Sequence, residues 1–269
     1  MRCDERAVLV ERRPLSPDTF LLRFESSALG DAFRPGQFTM LRVPGQDLLL
    51  RRPYSFCGSE PESHRFSLLV KVVGRGTRAL AELPLGGVVD CLGPLGTSFH
   101  LPEPGTRAVV AAGGVGIAPF VGFCEALSRR GEEATVLLGG RSAQDLYLRE
   151  DFERLGMVVV CTTEDGSYGR RGVVTDLLPD AIGDRRPQRL YSCGPSGMLR
   201  RAAALAAERG MAHEVSIERR MGCGMGCCLG CVVFTRRPGE AVGEYRRTCT
   251  EGPVFDADEI CWDRDPHPL

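Results

Sequence analysis

The sequence predicts an α+β multidomain protein in three parts, and three observations lead there. Short β-rich runs separated by turn residues extend to about residue 102, strands and helices alternate from there to about 212, and a final stretch rich in glycine and cysteine follows neither rhythm. The expected units are therefore 1–102, 103–212 and 213–269, which suits a chain of 269 residues when one domain takes roughly 100–200. The formal net charge is −1 and the arginines are scattered along the whole chain, so no basic field marks a nucleic-acid or membrane-surface binder. Lys71 is the only lysine, which reads as a compositional bias towards arginine.

In the first part the runs AVLVERR, TFLLRFE, QFTMLRV, RFSLLVKVV and GVVDCLG are strands bounded by Gly, Pro, Asp and Ser; strands this short and this closely spaced build a barrel or a sandwich. In the second part TRAVVAA, EATVLLGG, MVVVCTT and QRLYSCG are strands. APFVGFCEALSRRG, DLYLREDFERLG, VVTDLL and SGMLRRAAALAAERG are the helices between and after them. That alternation predicts a parallel sheet covered by helices. The N-terminus has no continuous apolar core of a secretory signal, and no segment approaches the roughly 18–20 apolar residues of a membrane helix. The expectation is a cytoplasmic chain with no membrane and no nucleic-acid partner, in which thiols stay reduced.

Reduced thiols make the third part informative. MGCGMGCCLGC places Cys223, Cys228 and Cys231 as C-x4-C-x2-C, with Cys249 available as a fourth ligand. This is the spacing of plant-type [2Fe–2S] ferredoxins, in which one short loop puts three thiolates on the cluster and a fourth comes from elsewhere. Glycines at 222, 224, 226 and 230 let the backbone curl and bring N–H groups close to sulfur. Four cysteines also suit tetrahedral zinc, but zinc ribbons usually bring two C-x2-C pairs and this segment has one. Cys227 in place of Cys228 would give C-x3-C-x3-C, so Cys228 is the expected ligand.

Two further sites, each marked by more than one motif, point to nucleotide cofactors. AAGGVGIAPF lies between a strand and a helix: Gly113, Gly114 and Gly116 allow a tight turn against a pyrophosphate, and Pro119 fits the first helical turn. Cys193, Gly194 and Pro195 end a later strand, at the carboxyl edge where parallel sheets bind ligands. In the β-rich part, Arg52 of RRPYS offers a phosphate partner, Tyr54 a flat face for an isoalloxazine ring and Ser55 a hydrogen bond, while Gly76 and Thr77 open a short helix with main-chain donors. A nicotinamide passes two electrons as hydride, a cluster takes one at a time and a flavin handles both, so the three sites together read as a redox wire.

The motifs RRPYS, VVGRGT, GPLGTSF, AGGVGIAP, EDGSYGRRG, YSCGPSGML, RMGCGMGCCLGC and CTEGPVFDADEICW, in that order over nearly the whole chain, resemble the electron-transfer subunits of class 1B dihydroorotate dehydrogenase, in the ferredoxin-reductase superfamily. The resemblance implies an antiparallel β-barrel that binds FAD, a parallel α/β domain that binds NAD and a small C-terminal [2Fe–2S] domain. It implies FAD contacts at Arg52, Pro53, Tyr54, Ser55, Leu69, Val70, Lys71, Gly76 and Thr77, and cluster ligands at Cys223, Cys228, Cys231 and Cys249. It also implies a partner, an FMN-containing catalytic subunit that oxidises dihydroorotate, in an assembly of two of each chain. No catalytic acid or base is assigned to this chain. Gly197 stands where relatives commonly carry proline, Thr97-Ser98 where Asn-Gly is frequent, and Cys227 where alanine is usual.

Rival readings share parts of this pattern. Small flavin subunits of NAD(P)H-dependent ferredoxin or sulfide oxidoreductases have all three sites, but GPVF after the last cysteine favours the dihydroorotate enzyme. Reductases of oxygenases usually carry a longer cluster domain. A zinc-stabilised adaptor without chemistry would not need the intact nucleotide motifs. Glu164 and Asp165 after the third α/β strand would repel a 2′-phosphate and favour NAD, although Arg170 and Arg171 follow closely.

Overall fold

A 14-residue first strand, β1 (Cys3–Ser16), is long enough to serve two neighbours. Its first half pairs with β6 (Val88–Leu95) and its second half with β2 (Thr19–Glu25), and a register shift at Leu9–Glu11 lets it bend between the two. That bend closes the sheet. With β3 (Phe38–Arg42), β4 (Arg52–Glu60) and β5 (Arg65–Lys71), the order β1-β2-β5-β4-β3-β6 forms a closed barrel, antiparallel throughout. Inward-facing Leu22, Phe24, Phe56, Phe66, Leu68 and Val70 fill it. The barrel alternative of the sequence reading is the one observed, in a computed structural model that describes every residue except 1–2, 31–32, 44–47, 183–187 and 265–269. A short helix, α1 (Arg75–Ala81), follows β5, and Arg12 caps its carboxyl end by donating to the carbonyls of Ala81 and Leu83 at 2.9 and 3.0 Å.

The second part is the expected alternation: β7 (Arg107–Gly113), α2 (Ala118–Arg129), β8 (Ala134–Gly140), α3 (Arg149–Arg154), β9 (Val158–Thr163), β10 (Arg170–Arg171), α4 (Leu178–Ala181), β11 (Gln188–Cys193) and α5 (Ser196–Glu208). The stretch DLYLREDFERLG is helical only from Arg149, because Leu148 takes a left-handed φ of 60° and turns with Tyr147 into the core, where both are buried. VVTDLL divides into a 3-10 turn and α4.

The third part is not separate from the sheet. β12 (His213–Ser216) adds to β11 in parallel and β15 (Val254–Asp256) adds to β12 antiparallel, giving seven strands in the order β10-β9-β8-β7-β11-β12-β15. Periodicity hid β12: HEVS looks polar, yet all four residues are buried. Its Glu214 is neutralised by Arg189 at 2.7 Å and bonded by the His100 main chain at 2.9 Å, a partnership that exists only after folding. Between these strands, β13 (Val232–Thr235) and β14 (Glu244–Arg247) form a hairpin.

Burial of His213 has a measurable consequence. Desolvation lowers its pKa from 6.5 to about 3. Above pH 6.5 the imidazole is neutral in both states; below it, the unfolded chain takes up a proton that the folded chain refuses until near pH 3. Stability is therefore lost as pH falls through that window, by on the order of 4 kcal/mol at the acid end. Thermal melts of wild type and His213→Gln between pH 7 and 4 should show a shallower acid decline in the variant; parallel declines would assign the acid sensitivity elsewhere.

Candidate redox sites

β4 and β5 pair only from Phe56 and Leu68 onward. Before that point Arg52–Ser55 is laddered to β3 and Leu69–Lys71 to β2, so the two strands part where RPYS begins. The edges they turn to each other keep main-chain donors and acceptors outside the ladder. A groove of ≈ 600 Å³ opens there, and Arg52, Pro53, Tyr54, Ser55, Leu69, Lys71, Gly76 and Thr77 all line it. Val70 does not: its side chain is buried in the barrel core, which leaves only its main chain for a ligand. The Tyr54 hydroxyl is buried with no partner among the described residues, and burial pushes its pKa to about 12, so a bound ring would meet a hydroxyl ready to donate.

At one end of the groove Arg52 lies so close to Gly76 that a Cβ there would come within 2.4 Å of Nε. Thr77 spends its hydroxyl on capping α1, accepting from the N–H of Val73 and Gly74 at 2.9 and 3.0 Å. The unpaired N–H groups of the first helical turn and the Arg52 guanidinium thus share one locality, chemistry that fits a diphosphate. The Lys71 ammonium is committed elsewhere, to Asp145 Oδ1 at 3.1 Å and the Tyr147 hydroxyl at 3.0 Å. As with Val70, its main chain is what remains for a flavin.

The nicotinamide motifs meet at the point where the sheet order reverses. β8 and β9 lie on one side of β7 and β11 and β12 on the other, which is where open parallel sheets bind ligands. Gly113 ends β7, a 3-10 turn runs over Gly114–Ile117, and α2 begins with Pro119 in its first turn. Across from it, Gly194 at φ 151° and Pro195 join β11 to α5. The two turns interlock: a Cβ on Gly116 would stand 2.4 Å from the Cys193 carbonyl oxygen, and one on Gly113 2.9 Å from Pro195 Cδ. The Cys193 thiol is buried, and that burial raises its pKa. Beyond β9, Asp165 is held below the usual carboxylate range by hydrogen bonds from Ser167. Arg170 is engaged by the Asp176 carbonyl and Asp180 at 3.2 and 3.4 Å, which weakens it as a 2′-phosphate partner.

The hairpin decides the cysteine arrangement. Cys231 precedes β13 and Cys249 follows β14, and Thr248 ties the two ends by donating its N–H and hydroxyl to the Cys231 carbonyl at 3.0 and 2.9 Å. Both thiols are buried; burial first, and then the Cys231 thiol beside it, push Cys249 up to about 12. Cys223 and Cys228 form a second pair on the tight loop. Burial works against ionisation of Cys223, but N–H donors from Met225, Cys228 and Cys227 and the Cys228 thiol bring it down to about 6. Cys227 and Cys228 are both exposed, and it is the Cys228 thiol, with only the main chain of Cys227, that meets Cys223. Among the described residues no three His, Cys, Asp or Glu side chains close around a point for a single ion; the thiol of Cys228 stands beside Cys223 and that of Cys231 beside Cys249, a donor set that fits a two-iron cluster.

These sites adjoin. Cys231 and Cys249 pack on Phe38, Met40 and Leu95 of the barrel, with Met221 against them, and Phe38 and Met221 also wall the flavin groove. Val115 and Ala118 of the glycine turn complete that groove from the other side. Glu218 and Arg219 were missed by sequence reasoning, although they directly precede the cysteine loop. The Glu218 carboxyl is crowded by protein, which raises its pKa, and reaches solvent through the groove; Arg219 donates to its carbonyl at 2.8 Å.

A barrel with a split edge, a sheet with a glycine crevice and four cysteines brought together by a tight loop and a hairpin fit an oxidoreductase that binds a flavin, a nicotinamide and an iron–sulfur cluster. Family comparison agrees part by part: residues 6–100 match the oxidoreductase FAD-binding domain, 110–204 the oxidoreductase NAD-binding domain, and 218–261 the iron–sulfur cluster binding domain of dihydroorotate dehydrogenase B. Proteins named dihydroorotate dehydrogenase B (NAD(+)), electron transfer subunit, are 36% identical in Desulforamulus reducens (93% of this chain, 95% of the relative) and 38% identical in Shouchella clausii (95% and 97%). A solved NADH-dependent reduced ferredoxin-NADP oxidoreductase chain is 30% identical with a TM-score of 0.84, covering 96% of this chain and 90% of that one. The chain belongs to the family of dihydroorotate dehydrogenase B electron transfer subunits.

Proposed function

We propose that this chain carries electrons from a dihydroorotate-oxidising catalytic subunit to NAD⁺, in the synthesis of pyrimidines. The cluster, as [2Fe–2S], is assigned to Cys223, Cys228, Cys231 and Cys249. FAD is assigned to the split between β4 and β5, with Arg52 and the start of α1 on its phosphates and Tyr54 and Ser55 at its ring. NAD⁺ is assigned to the crevice of Gly113, Gly114, Gly116, Gly194 and Pro195, with Cys193 contributing main chain only. When bound, the flavin exchanges single electrons with the cluster and a hydride with the nicotinamide, so that dihydroorotate and NAD⁺ give orotate, NADH and a proton.

The observation that carries this reading is the shared wall: Phe38 and Met221 touch both the buried thiols and the flavin groove, while Val115 and Ala118 bring the nicotinamide turn to that groove. Electron transfer needs such proximity, and no proton chemistry on dihydroorotate is asked of this chain. Met225 and Leu229 stand exposed on the cysteine loop, an apolar face suited to an FMN-containing partner, in an assembly of two of each chain. No helix among the described residues is long and apolar enough to cross a membrane, and a cytoplasmic setting suits twelve cysteines of which none is in a disulfide. A second reading, the small subunit of a ferredoxin–NAD(P) oxidoreductase, is favoured by the structural likeness at TM-score 0.84.

The test is an anaerobic visible spectrum before and after NADH. Flavin bands with a broad iron–sulfur shoulder, both bleached, are expected; a flavin spectrum with zinc in place of iron would sink the cluster assignment. The chain alone should reduce artificial acceptors with NADH and leave dihydroorotate untouched, while the catalytic subunit should restore dihydroorotate-dependent reduction of NAD⁺. Reduction of ferredoxin, with no response to that subunit, would support the second reading.

A further inference from the structure

Every described side-chain hydrogen bond from strands β1, β2 and β5 of the barrel to the α/β part lands on one segment, residues 145–151. Arg13 donates to Asp151 at 3.0 Å, the hydroxyls of Thr19 and Tyr147 meet at 3.1 Å, and Lys71 donates to Asp145 and Tyr147. The inner four groups form a closed centre. Tyr147 is 3% exposed and donates to Asp145 Oδ1 at 2.9 Å, while Asp18 stands 3.7 Å from the ammonium on the solvent side. Burial disfavours charge on both Lys71 and Asp145, but their mutual hydrogen bonds and those with Tyr147 prevail, so the pair is ionised.

We propose that Asp145 and Tyr147 are positioning residues for hydride transfer: through Lys71 and Thr19 they set how the nicotinamide crevice is held against the flavin groove. This rests on the redox function assigned above. Lys71 lines the flavin groove, and its strand packs on the Gly114–Ile117 turn of the crevice. Asp145 sits at the carboxyl end of β8, so close to Gly140 that a Cβ there would come within 2.8 Å of the Asp145 Cβ. The polar centre thus connects the edges of both sites while its side chains need touch neither cofactor. Apolar packing tolerates a slide of one surface over another; directional hydrogen bonds gathered on the buried Thr19 and Tyr147, with Lys71 and Asp145 half-buried beside them, do not. Hydride transfer requires reacting atoms about 3–3.5 Å apart, and a misplacement of about 1 Å costs on the order of a hundredfold in rate.

Two measurements on Asp145→Asn and Tyr147→Phe test this. The first uses the fact that Lys71 is the only lysine: acylation by an amine-reactive ester, mapped by mass spectrometry, should be slow at Lys71 in the wild type and several-fold faster in Asp145→Asn. Equal rates would show that the tie is absent in solution and would overturn the proposal. The second is anaerobic stopped-flow reduction of the flavin by NADH. The limiting rate is expected to fall about 10–100-fold in both variants, with FAD content and the dissociation constant for NADH little changed and with a larger isotope effect from 4-deuterated NADH. Charge exchange, Lys71→Asp with Asp145→Lys, should recover part of the rate lost in Lys71→Asp alone. An unchanged limiting rate, or a loss that follows FAD content, would overturn the proposal. Wild-type protein that keeps its flavin but is not bleached by NADH would instead sink the redox reading itself.

Discussion

Replacing Cys249 with alanine should empty the iron–sulfur site and leave the flavin in place. Iron and acid-labile sulfide should fall to background, and the low-temperature EPR signal of the reduced cluster should vanish, while FAD stays bound and is still reduced by NADH. The asymmetry follows from position. Cys249 is the assigned fourth ligand, and its thiol is buried beside that of Cys231, whereas the spare thiol, Cys227, is exposed. None of the four cysteines lines the groove, whose assigned flavin contacts come from β4, β5 and α1. Removing one buried thiol from its packing on Phe38, Met40 and Leu95 should cost about 1 kcal/mol, too little to unfold the chain. Cys227→Ser is the matched control and should keep iron, sulfide and EPR signal unchanged. If Cys227→Ser lost the cluster and Cys249→Ala kept it, the ligand assignment would be wrong.

Gly116→Ala should lower the rate of flavin reduction by NADH at least about a hundredfold with FAD and cluster retained. A methyl group there would press to 2.4 Å of the Cys193 carbonyl oxygen and to 2.8 Å of the Gly194 nitrogen, both main-chain atoms that cannot rotate aside. The two turns would have to part, and they are the two halves of the nicotinamide crevice. Gly197→Ala is the control in the first turn of α5: nothing lies within 4 Å of its added methyl, and the helix gains roughly 0.5–1 kcal/mol. Stopped-flow traces of the pair should separate cleanly; equal rates would mean that the crevice lies elsewhere.

Much of the candidate site was legible in residues near each other along the chain. The C-x4-C-x2-C spacing, the glycine turn before Pro119 and the RPYS motif are local devices, since a loop around a cluster or a turn under a phosphate is specified by which backbone angles and donors occur within a few residues. Strands with strong periodicity were legible for the same reason. Where an element is set by a distant partner, the local pattern misleads. HEVS is a buried strand only because Arg189 and His100 meet Glu214, and DLYLREDFERLG breaks at Leu148 because Tyr147 turns in to reach Thr19 and Lys71 of the barrel.

The sequence by itself therefore determined the fold class and the order of the FAD-binding, NAD-binding and iron–sulfur parts, because each depends on spacing along the chain. Only the tertiary structure decided that Cys231 and Cys249 are buried together against the barrel, that the Val70 side chain lies in the barrel core while the Lys71 ammonium is engaged by Asp145 and Tyr147, and that the central sheet takes two strands from the cysteine-rich segment. Those are questions of which surfaces meet. They are answered by burial and by hydrogen bonds between residues far apart in sequence, whose free energies exist only once the chain has folded.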